Sequence, residues 1–287
     1  MIVQMSWLGK DELHGFGNQF FAFFFLKFIE SQIGCDIRYS TWLGNILFNL
    51  PECNPVLSYD ESIDLEHTIS REKGPEAEIK IIKSHLEKEA KVLELMGLFQ
   101  YHTSAYIKHR EMFFNIFNFS ELIEQQINQS LVNLGLEDCP IICVHFRRGD
   151  YLKFANKHPL FWGGSFDAVI NALSDLMLSS FKNSAIYLCS DDIEHCRREF
   201  ELRNIPCITN ASLFAVLDDS TRLISDFMMM AKSSALIIAN SSLSFAAAML
   251  NHKAKIFLRP CPQKDRFIPF DPWNSHVLLP KFPLHFP

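Results

Sequence analysis

The 287-residue sequence lacks several patterns that mark common classes of protein. It contains neither a GxxxxGK(S/T) loop nor a GxGxxG segment, which excludes a P-loop enzyme and a typical dinucleotide-dependent dehydrogenase. The formal net charge is −6 and no block of Lys and Arg occurs, so we do not expect a nucleic-acid partner. No group of Cys, His or carboxylate residues has the spacing of a zinc or magnesium site, so no metal is expected.

The eight cysteines form no CxxC pair. Cys143, Cys189 and Cys207 lie inside apolar runs, where a free cysteine behaves as a small hydrophobic residue. We therefore expect buried, reduced thiols, as in a protein of the cytoplasm.

A long hydrophobic run is also missing. The start, MIVQMSWLGKDELHG, does not combine a basic segment with an apolar stretch and a small-residue cleavage site, so we do not expect a signal peptide. The most apolar run, Phe20 to Ile29, contains Lys27 and is well short of the ~20 residues that a spanning helix needs. A buried helix is the favoured interpretation, and contact with a membrane surface is the alternative that its many Phe residues leave open.

Strands and helices alternate in the second half of the chain. Short apolar runs predict strands at 141–146, 185–190, 207–209, 235–240 and 255–260. Segments with helical spacing separate these runs, at 165–181, 192–204, 218–234 and 242–250. This alternation predicts an α/β fold with a parallel sheet and helices on both of its faces.

The first half is less regular. Strands are expected at 2–6, 35–40 and 98–102, and helices in the Phe-rich run and at 76–96 and 120–134. This pattern is compatible with a second α/β domain, covering residues 1–138. The next domain would cover 139–260, and residues 261–287, with six prolines, are expected to be mostly irregular.

Polar side chains follow three of the predicted strands in the second half. Because ligands bind outside the carboxyl ends of strands in a doubly wound sheet, and parallel strands place these ends together, we expect one site. The residues are His145, Arg147, Arg148 and Asp150 after the first strand, Asp191 and Asp192 after the second, and Asn240, Ser241 and Ser242 after the fourth.

These groups suit a nucleoside diphosphate. The planar fork of an arginine such as Arg147 binds a phosphate through two hydrogen bonds. The helix N-terminus at Ser241 and Ser242 would bind phosphate oxygens, and an aspartate would accept hydrogen bonds from ribose or base. Each group also has a structural interpretation, because arginines form surface ion pairs and Asp or Ser residues cap helices.

The motifs resemble those of GDP-fucose-dependent fucosyltransferases. HFRRGD resembles the HxRRxD motif shared by the α1,2, α1,6 and protein O-fucosyltransferase branches. Four further segments resemble those of the α1,2 branch: GFGNQFFAF, IYLCSDD, NSSLSFAAAML and FDPWN. The sequence departs from that pattern at Phe16, where Leu is usual, and at Phe245 and Ala246, where many members have two tryptophans; these differences concern the acceptor site more than the donor site.

The resemblance implies two Rossmann-like domains in the GT-B type of glycosyltransferase architecture. Residues 1–138 would lie on the acceptor side, and 139–260 would bind the GDP-sugar. The enzyme would need neither a cofactor nor a metal. It would transfer fucose from GDP-β-L-fucose, with inversion, to a galactose of a glycan. Since neither a signal peptide nor a spanning helix is expected, we predict a cytoplasmic protein, with peripheral contact at the inner membrane if that glycan is lipid-linked.

The resemblance also assigns roles to individual residues. Arg147 would hold the β-phosphate, with Arg148 beside it, and His145 would lie against the guanine or its ribose. Asp191 or Asp192 would contact guanosine. Ser241 and Ser242 would line the diphosphate, and Gly17 and Asn18 would approach the diphosphate and the sugar.

Two questions stay open from the sequence alone. Asp150 is a candidate catalytic base, and a structural ion pair between Asp150 and Arg148 is the alternative. The linkage is also open, because another GDP-sugar transferase, an α1,6-type enzyme, or a non-catalytic nucleotide-binding or glycan-binding relative would share HFRRGD.

Overall fold

The computed structural model describes residues 1–10, 15–52, 54–65, 74–87, 91–154, 165–214 and 218–279. The chain divides into two compact units, Met1–Ser120 and Glu121–Pro287. The boundary expected near residue 138 lies after this division. The difference arises from the helix that begins at Glu121, which belongs to the second unit: its Ile127 is buried, and its Glu124 forms an ion pair with Lys232.

The first unit is built on a parallel sheet with the strand order β2-β1-β4-β3 in the described residues. The strands are β1 (Ile2–Met5), β2 (Asp36–Tyr39), β3 (Glu61–Asp64) and β4 (Val92–Met96). The helices are α1 (Phe16–Ile33), α2 (Leu43–Leu47), α3 (Pro75–Leu86), α4 (Arg110–Ile116) and a 3₁₀ helix at Thr103–His109.

Helix α1 is the Phe-rich segment, and it is buried over most of its circumference. Aromatic rings surround it: Phe20 stacks on Phe117 with 3.9 Å between ring centroids, and Phe25 stacks on Phe99 at 4.4 Å. The helix ends at Gly34, which adopts the left-handed conformation (φ 71°) common after a last helical turn. The prediction of a buried helix is confirmed.

Within the described residues, no helix combines the length and the hydropathy that a bilayer-spanning segment requires.

The second unit has a sheet in the order β6-β5-β7-β8-β9, parallel except for the antiparallel β9 at its edge. The strands are β5 (Ile141–Phe146), β6 (Ala185–Ser190), β7 (Ala235–Ile237), β8 (Ile256–Cys261) and β9 (Arg266–Pro269). The α-helices are α5 (Glu121–Asn133), α6 (Gly149–Phe154), α7 (Phe166–Ser179), α8 (Ile193–Leu202), α9 (Asn210–Leu213), α10 (Asp219–Lys232) and α11 (Ser242–Leu250), and Pro262–Lys264 forms a 3₁₀ turn.

Side chains of β5 alternate between the two faces of this sheet. Val144 and Phe146 belong to an aliphatic core that includes Leu173 of α7. Cys143, on the other face, lies 3.5 Å from the sulfur of Cys189, next to α10. Helices therefore cover both faces, as predicted.

Several predicted elements were wrong in their extent or type. Residues 76–96 are not one helix, because α3 ends at Leu86 and β4 begins at Val92. No strand forms at 98–102, where Phe99 has a positive φ of 53° that a strand does not allow. The strand expected at 207–209 is reduced to one bridge between Tyr187 and Ile208. The segment after residue 260, expected to be mostly irregular, contains one short strand, β9.

Candidate active site

The three polar strand ends are brought together at one edge of the second sheet. Strands β6, β5 and β7 are direct neighbours and run in the same direction. The register pairs Phe146 with Ser190 and Val144 with Ile237, so the polar residues follow at the same edge, within three residues of each strand's last paired position. This confirms the expected arrangement of HFRRGD, SDD and NSS.

Arg147 is held by two carboxylates at this edge. One terminal nitrogen lies 2.8 Å from Oδ1 of Asp150, and the other lies 3.1 Å from Oδ2 of Asp191. The guanidinium carbon lies 5.7 Å from the ring centroid of Tyr151. With 36% of its side chain exposed, Arg147 is oriented in advance and still accessible to a ligand. The alternative pairing of Asp150 with Arg148 is not the one that the structure contains.

Arg148 is tied to the neighbouring strand end. Its backbone N–H donates to Oδ1 of Asp191 at 2.7 Å, and its Nε lies 3.2 Å from Oδ2 of Asp192. Its guanidinium also lies over the ring of Phe166, at 5.2 Å. The Asp191 carboxylate therefore contacts both arginines: it binds the side chain of Arg147 and the backbone N–H of Arg148.

Gly149 allows this loop to approach Asp191. A Cβ atom at position 149 would lie 2.8 Å from Oδ2 of Asp191, closer than such contacts occur. The close contact explains why glycine separates the arginines from the carboxylate of Asp150 in HFRRGD.

His145 is buried and uncharged. The pKa of its imidazole is lowered to about 4, mainly by burial; the carboxylate of Asp191 opposes this shift and the positive charge of Arg147 adds to it. Its Nδ1 has no hydrogen-bond partner among the described residues. The ring can therefore offer a neutral polar atom to a ligand at this edge.

The helix that follows β7 begins without the usual side-chain cap. Ser241 stands at the N-cap position of α11, yet its hydroxyl accepts no capping hydrogen bond; Asp192, before α8, makes none either. Asn240 joins two other segments instead: its carbonyl oxygen accepts from the Tyr151 hydroxyl at 2.6 Å, and its Oδ1 accepts from the N–H of Leu279 at 2.8 Å. The capping interpretation of Ser241 and Asp192 is not supported.

Gly17 and Asn18 lie in the first unit, in the first turn of α1. Oδ1 of Asn18 accepts a hydrogen bond from Nε2 of the buried Gln100, at 2.7 Å. Oε1 of Gln19 accepts from the N–H of Gly9 at 3.0 Å. These bonds fix the first turn of α1 and the orientation of the Asn18 amide.

Two residues that contact the arginines, Tyr151 and Phe166, were not predicted from the sequence. Tyr151 directly follows HFRRGD, so its position in the motif was a signal that could have been used. Phe166 lies 18 residues after Arg148 in the sequence, beyond any local pattern. Within the described residues, no group of three His, Cys, Asp or Glu side chains is arranged to hold a metal ion.

A family model described as glycosyl transferase family 11 matches residues 77–269, more than half of the chain. The chain belongs to glycosyl transferase family 11. The match includes the strand ends that carry Arg147, Asp191 and Ser241, whereas Gly17 and Asn18 lie before it. Among curated proteins, none matches this chain significantly.

Solved structures share the fold of this family 11 chain. The fucosyltransferase NodZ from Bradyrhizobium is 14% identical, with 90% of this chain and 94% of NodZ covered and a TM-score of 0.55. The α-1,6-fucosyltransferase NodZ co-crystallised with GDP is 13% identical, with coverages of 94% and 98% and a TM-score of 0.58. POFUT1 in complex with GDP-fucose is 12% identical, with coverages of 88% and 94% and a TM-score of 0.56.

At such low identities these structures are evidence for the fold. They confirm the predicted GT-B-type architecture with its two Rossmann-like units, and with the family match they confirm the resemblance that HFRRGD suggested.

Proposed function

We propose that this family 11 glycosyltransferase transfers L-fucose from GDP-β-L-fucose to a galactose hydroxyl of a glycan, with inversion and an α1,2 linkage. The observation that carries the donor assignment is the position of Arg147, a partly exposed guanidinium at the sheet edge next to the strand that leads into α11. An arginine fork and a helix N-terminus are both suited to a diphosphate. Structures of NodZ with GDP and of POFUT1 with GDP-fucose support the choice of nucleotide.

Arg147 would act on the leaving group. Negative charge grows on the β-phosphate as the bond to fucose breaks, so an oriented guanidinium stabilises the transition state more than the ground state. Asp191 would keep the fork in place, because it is the less exposed of the two carboxylate partners, with 26% of its side chain exposed against 50% for Asp150. A phosphate oxygen would replace the more exposed Asp150 more easily.

The remaining donor contacts are assigned by geometry and resemblance. Asp192 is the better candidate for contacting guanosine, because Asp191 is occupied by both arginines. His145 would contribute its neutral ring to the guanine or ribose. Ser241 and Ser242 would line the diphosphate at the start of α11.

The acceptor hydroxyl must lose its proton during transfer, and Asp150 is the candidate base. Its carboxylate is half exposed and pairs with Arg147. Because inversion needs the base on the face of the sugar opposite the leaving phosphate, this role requires Asp150 to turn away from Arg147 when the phosphate binds there. Gly17 and Asn18 would contact the sugar, with Gln100 orienting the Asn18 amide.

Arginine and helix N–H groups can neutralise the diphosphate without a metal. We therefore expect turnover to be unchanged by EDTA, and loss of turnover in EDTA that Mn²⁺ or Mg²⁺ restores would contradict this.

An α1,6 linkage is the second candidate, because NodZ is described as an α-1,6-fucosyltransferase. NMR analysis of the fucosylated product would distinguish the two linkages through the carbon atom that carries fucose.

A cytoplasmic location is also part of the proposal, with peripheral membrane contact when the acceptor is lipid-linked. Cell fractionation with and without that acceptor would test it.

The decisive test compares the wild type with Arg147→Lys, after a thermal-shift screen with GDP, UDP and ADP. Lysine keeps the charge but loses the fork, so the turnover number with GDP-fucose should fall by roughly 10²- to 10³-fold. The control is Arg222→Lys, because Arg222 is 54% exposed and only 3.7 Å from Asp219. An Arg147→Lys enzyme within about threefold of wild type, less than one tenfold step of 1.36 kcal/mol, would refute the phosphate contact.

A further inference from the structure

Arg259 is a buried cation without a carboxylate partner. Only 6% of the residue is exposed, and it pairs with no carboxylate in the part of the chain that the structure describes. One terminal nitrogen donates to the carbonyl oxygen of His276 at 2.9 Å, while its Nε has no acceptor. The guanidinium lies against two neighbouring aromatic rings, 5.7 Å from the centroid of Phe245 and 5.3 Å from that of Phe270. An unpaired charge in such a place is costly and calls for an anionic partner.

The position of Arg259 relates it to the candidate active site. It lies on β8 one residue after Leu258, which pairs with Ile237 at the end of β7. Asn240 is three residues beyond Ile237, so Arg259 and Asn240 lie within roughly 7 Å along the strand direction. Leu258 belongs to the core on the α7 and α8 face, so by alternation Arg259 points to the opposite face.

That opposite face carries the first turn of α11. Phe245, over which Arg259 lies, closes this turn through a backbone hydrogen bond of 3.0 Å to the carbonyl oxygen of Ser241. The amino end of α11, a helix of nine residues, carries a partial positive charge of its own. Arg259 and the helix N-terminus therefore place positive charge in the same region.

The cluster at the neighbouring strand ends lacks the charge that a diphosphate needs. The guanidinium groups of Arg147 and Arg148 are outnumbered by the carboxylates of Asp150, Asp191 and Asp192, which leaves a formal charge of 2 − 3 = −1. A diphosphate brought to this edge would meet net negative charge unless another cation contributes.

We propose that Arg259 supplies this missing positive charge to a diphosphate bound at the N-terminus of α11, as a donor-binding residue that adds to Arg147. The inference rests on the proposed function, since the anion is the diphosphate of the GDP-sugar. Its uncompensated charge acts over a short, largely protein-filled distance, where electrostatic interactions are stronger than in water.

A purely structural role makes a different prediction. If Arg259 only anchors the segment that contains His276, its loss should lower stability and leave the ratio of the GDP and guanosine dissociation constants as it is in the wild type. Guanosine and GDP share the base and ribose and differ in the diphosphate. The ratio of their dissociation constants therefore isolates the contribution of charge.

The experiment measures binding of GDP and guanosine by calorimetry to the wild type, Arg259→Gln and Arg222→Gln. Glutamine can still donate to the His276 carbonyl but is neutral. We expect GDP to bind Arg259→Gln about tenfold more weakly or worse, with guanosine affinity within about twofold. The exposed Arg222 serves as the charge-matched control and should alter neither.

The outcomes separate the two proposals. Absence of GDP binding to the wild type would overturn the proposed function and this inference together. Normal GDP binding to the wild type with an unchanged ratio in Arg259→Gln would overturn the inference alone.

If Arg259→Gln does not fold, Arg259→Lys decides, because a buried lysine loses its charge at lower pH than a buried arginine. The preference of Arg259→Lys for GDP over guanosine should then fall below that of the wild type and decline further between pH 6 and 9. If Arg259→Lys prefers GDP over guanosine as strongly as the wild type does at every pH in that range, the inference is overturned.

Discussion

The two units form comparable parallel sheets around cores of different composition. In the first, rings of Phe20, Phe24 and Phe25 on α1 pack against other aromatic rings, such as those of Tyr106 and Phe113. In the second, most side chains that β5 and β6 pack against α7 and α8 are aliphatic, with few rings such as Phe146 and Phe200 among them. A strand buried on both faces is a continuous apolar run that ends at the first charged residue, so its end is easy to locate. A helix packed among large rings, in contrast, needs no narrow apolar stripe.

Each unit also contains a buried carboxyl group whose pKa is raised, and the surroundings of the two groups differ. Burial raises the pKa of Glu78 in the first unit to about 7, although the nearby Tyr101 hydroxyl lowers it, and Oε2 of Glu78 has no well-formed hydrogen bond among the described residues. Burial likewise raises the pKa of Asp226 in the second unit to about 7. Asp226, however, accepts from the Tyr187 hydroxyl at 2.9 Å and from Nδ2 of Asn210 at 3.4 Å. The two carboxyl groups therefore have similar pKa values, although Asp226 has more complete hydrogen bonding than Glu78.

The largest effect is expected from breaking the aromatic core. Phe24→Ala removes a ring that contacts Tyr106 and Phe113 at centroid distances of 4.8 and 4.9 Å. Large-to-small changes of this kind cost about 3–5 kcal/mol. Urea denaturation should show this loss, with Leu178→Ala, at an 86% exposed position, as the unchanged control. A loss below about 1 kcal/mol for Phe24→Ala would mean that the ring cluster is loosely packed.

A smaller effect is expected from Glu78→Gln, and it should depend on pH. Between pH 4.5, the ordinary pKa, and about 7, the unfolded chain releases a proton that folded Glu78 retains, so stability falls as pH rises through this window. Glutamine removes this dependence, which gives a relative gain at pH 8 over pH 4.5 of up to about 3 kcal/mol. Urea titrations at both pH values would measure it, with the exposed Glu76→Gln on the same helix as control. The same difference in both variants would refute the assignment.

The smallest effect is expected from Asp226→Asn. An amide offers one acceptor where the carboxyl group offers two, so it cannot accept from both Tyr187 and Asn210. The gain from removing a buried charge should therefore be largely cancelled, leaving a change within about 1 kcal/mol at pH 8. Denaturation under the conditions used for Glu78→Gln makes the comparison direct. A gain equal to that of Glu78→Gln would show that hydrogen bonding does not distinguish the two carboxyl groups.

The sequence was informative where local chemistry decides the structure. Strand β5 was predictable because six apolar or weakly polar residues end abruptly at Arg147, and the strand ends of β6 and β7 followed the same rule. Parallel topology then required the three ends to meet. The burial of α1 was also predictable, because a run with six Phe residues has no other favourable environment in water.

Long-range packing decided what the sequence did not reveal. Strand β4 was merged with α3 because Val92, Leu93 and Leu95 also fit a helical spacing, and only pairing with β1 and β3 makes them a strand. Arg147 forms ion pairs with both Asp150 and Asp191, and the pair with Asp191 depends on the register between β5 and β6. Arg259 was visible as a charge inside an apolar strand, but its aromatic neighbours come from separate segments.

The contact between Gly149 and Asp191 has a consequence for sequence variation. The space that a side chain at position 149 would need is already filled by the Asp191 carboxylate. Residue choices at these two positions are therefore linked: a larger residue at 149 requires a smaller or retracted one at 191, which in turn releases Arg147. In a library randomised at both positions and selected for transfer activity, glycine at 149 and aspartate at 191 should be recovered as a pair rather than independently.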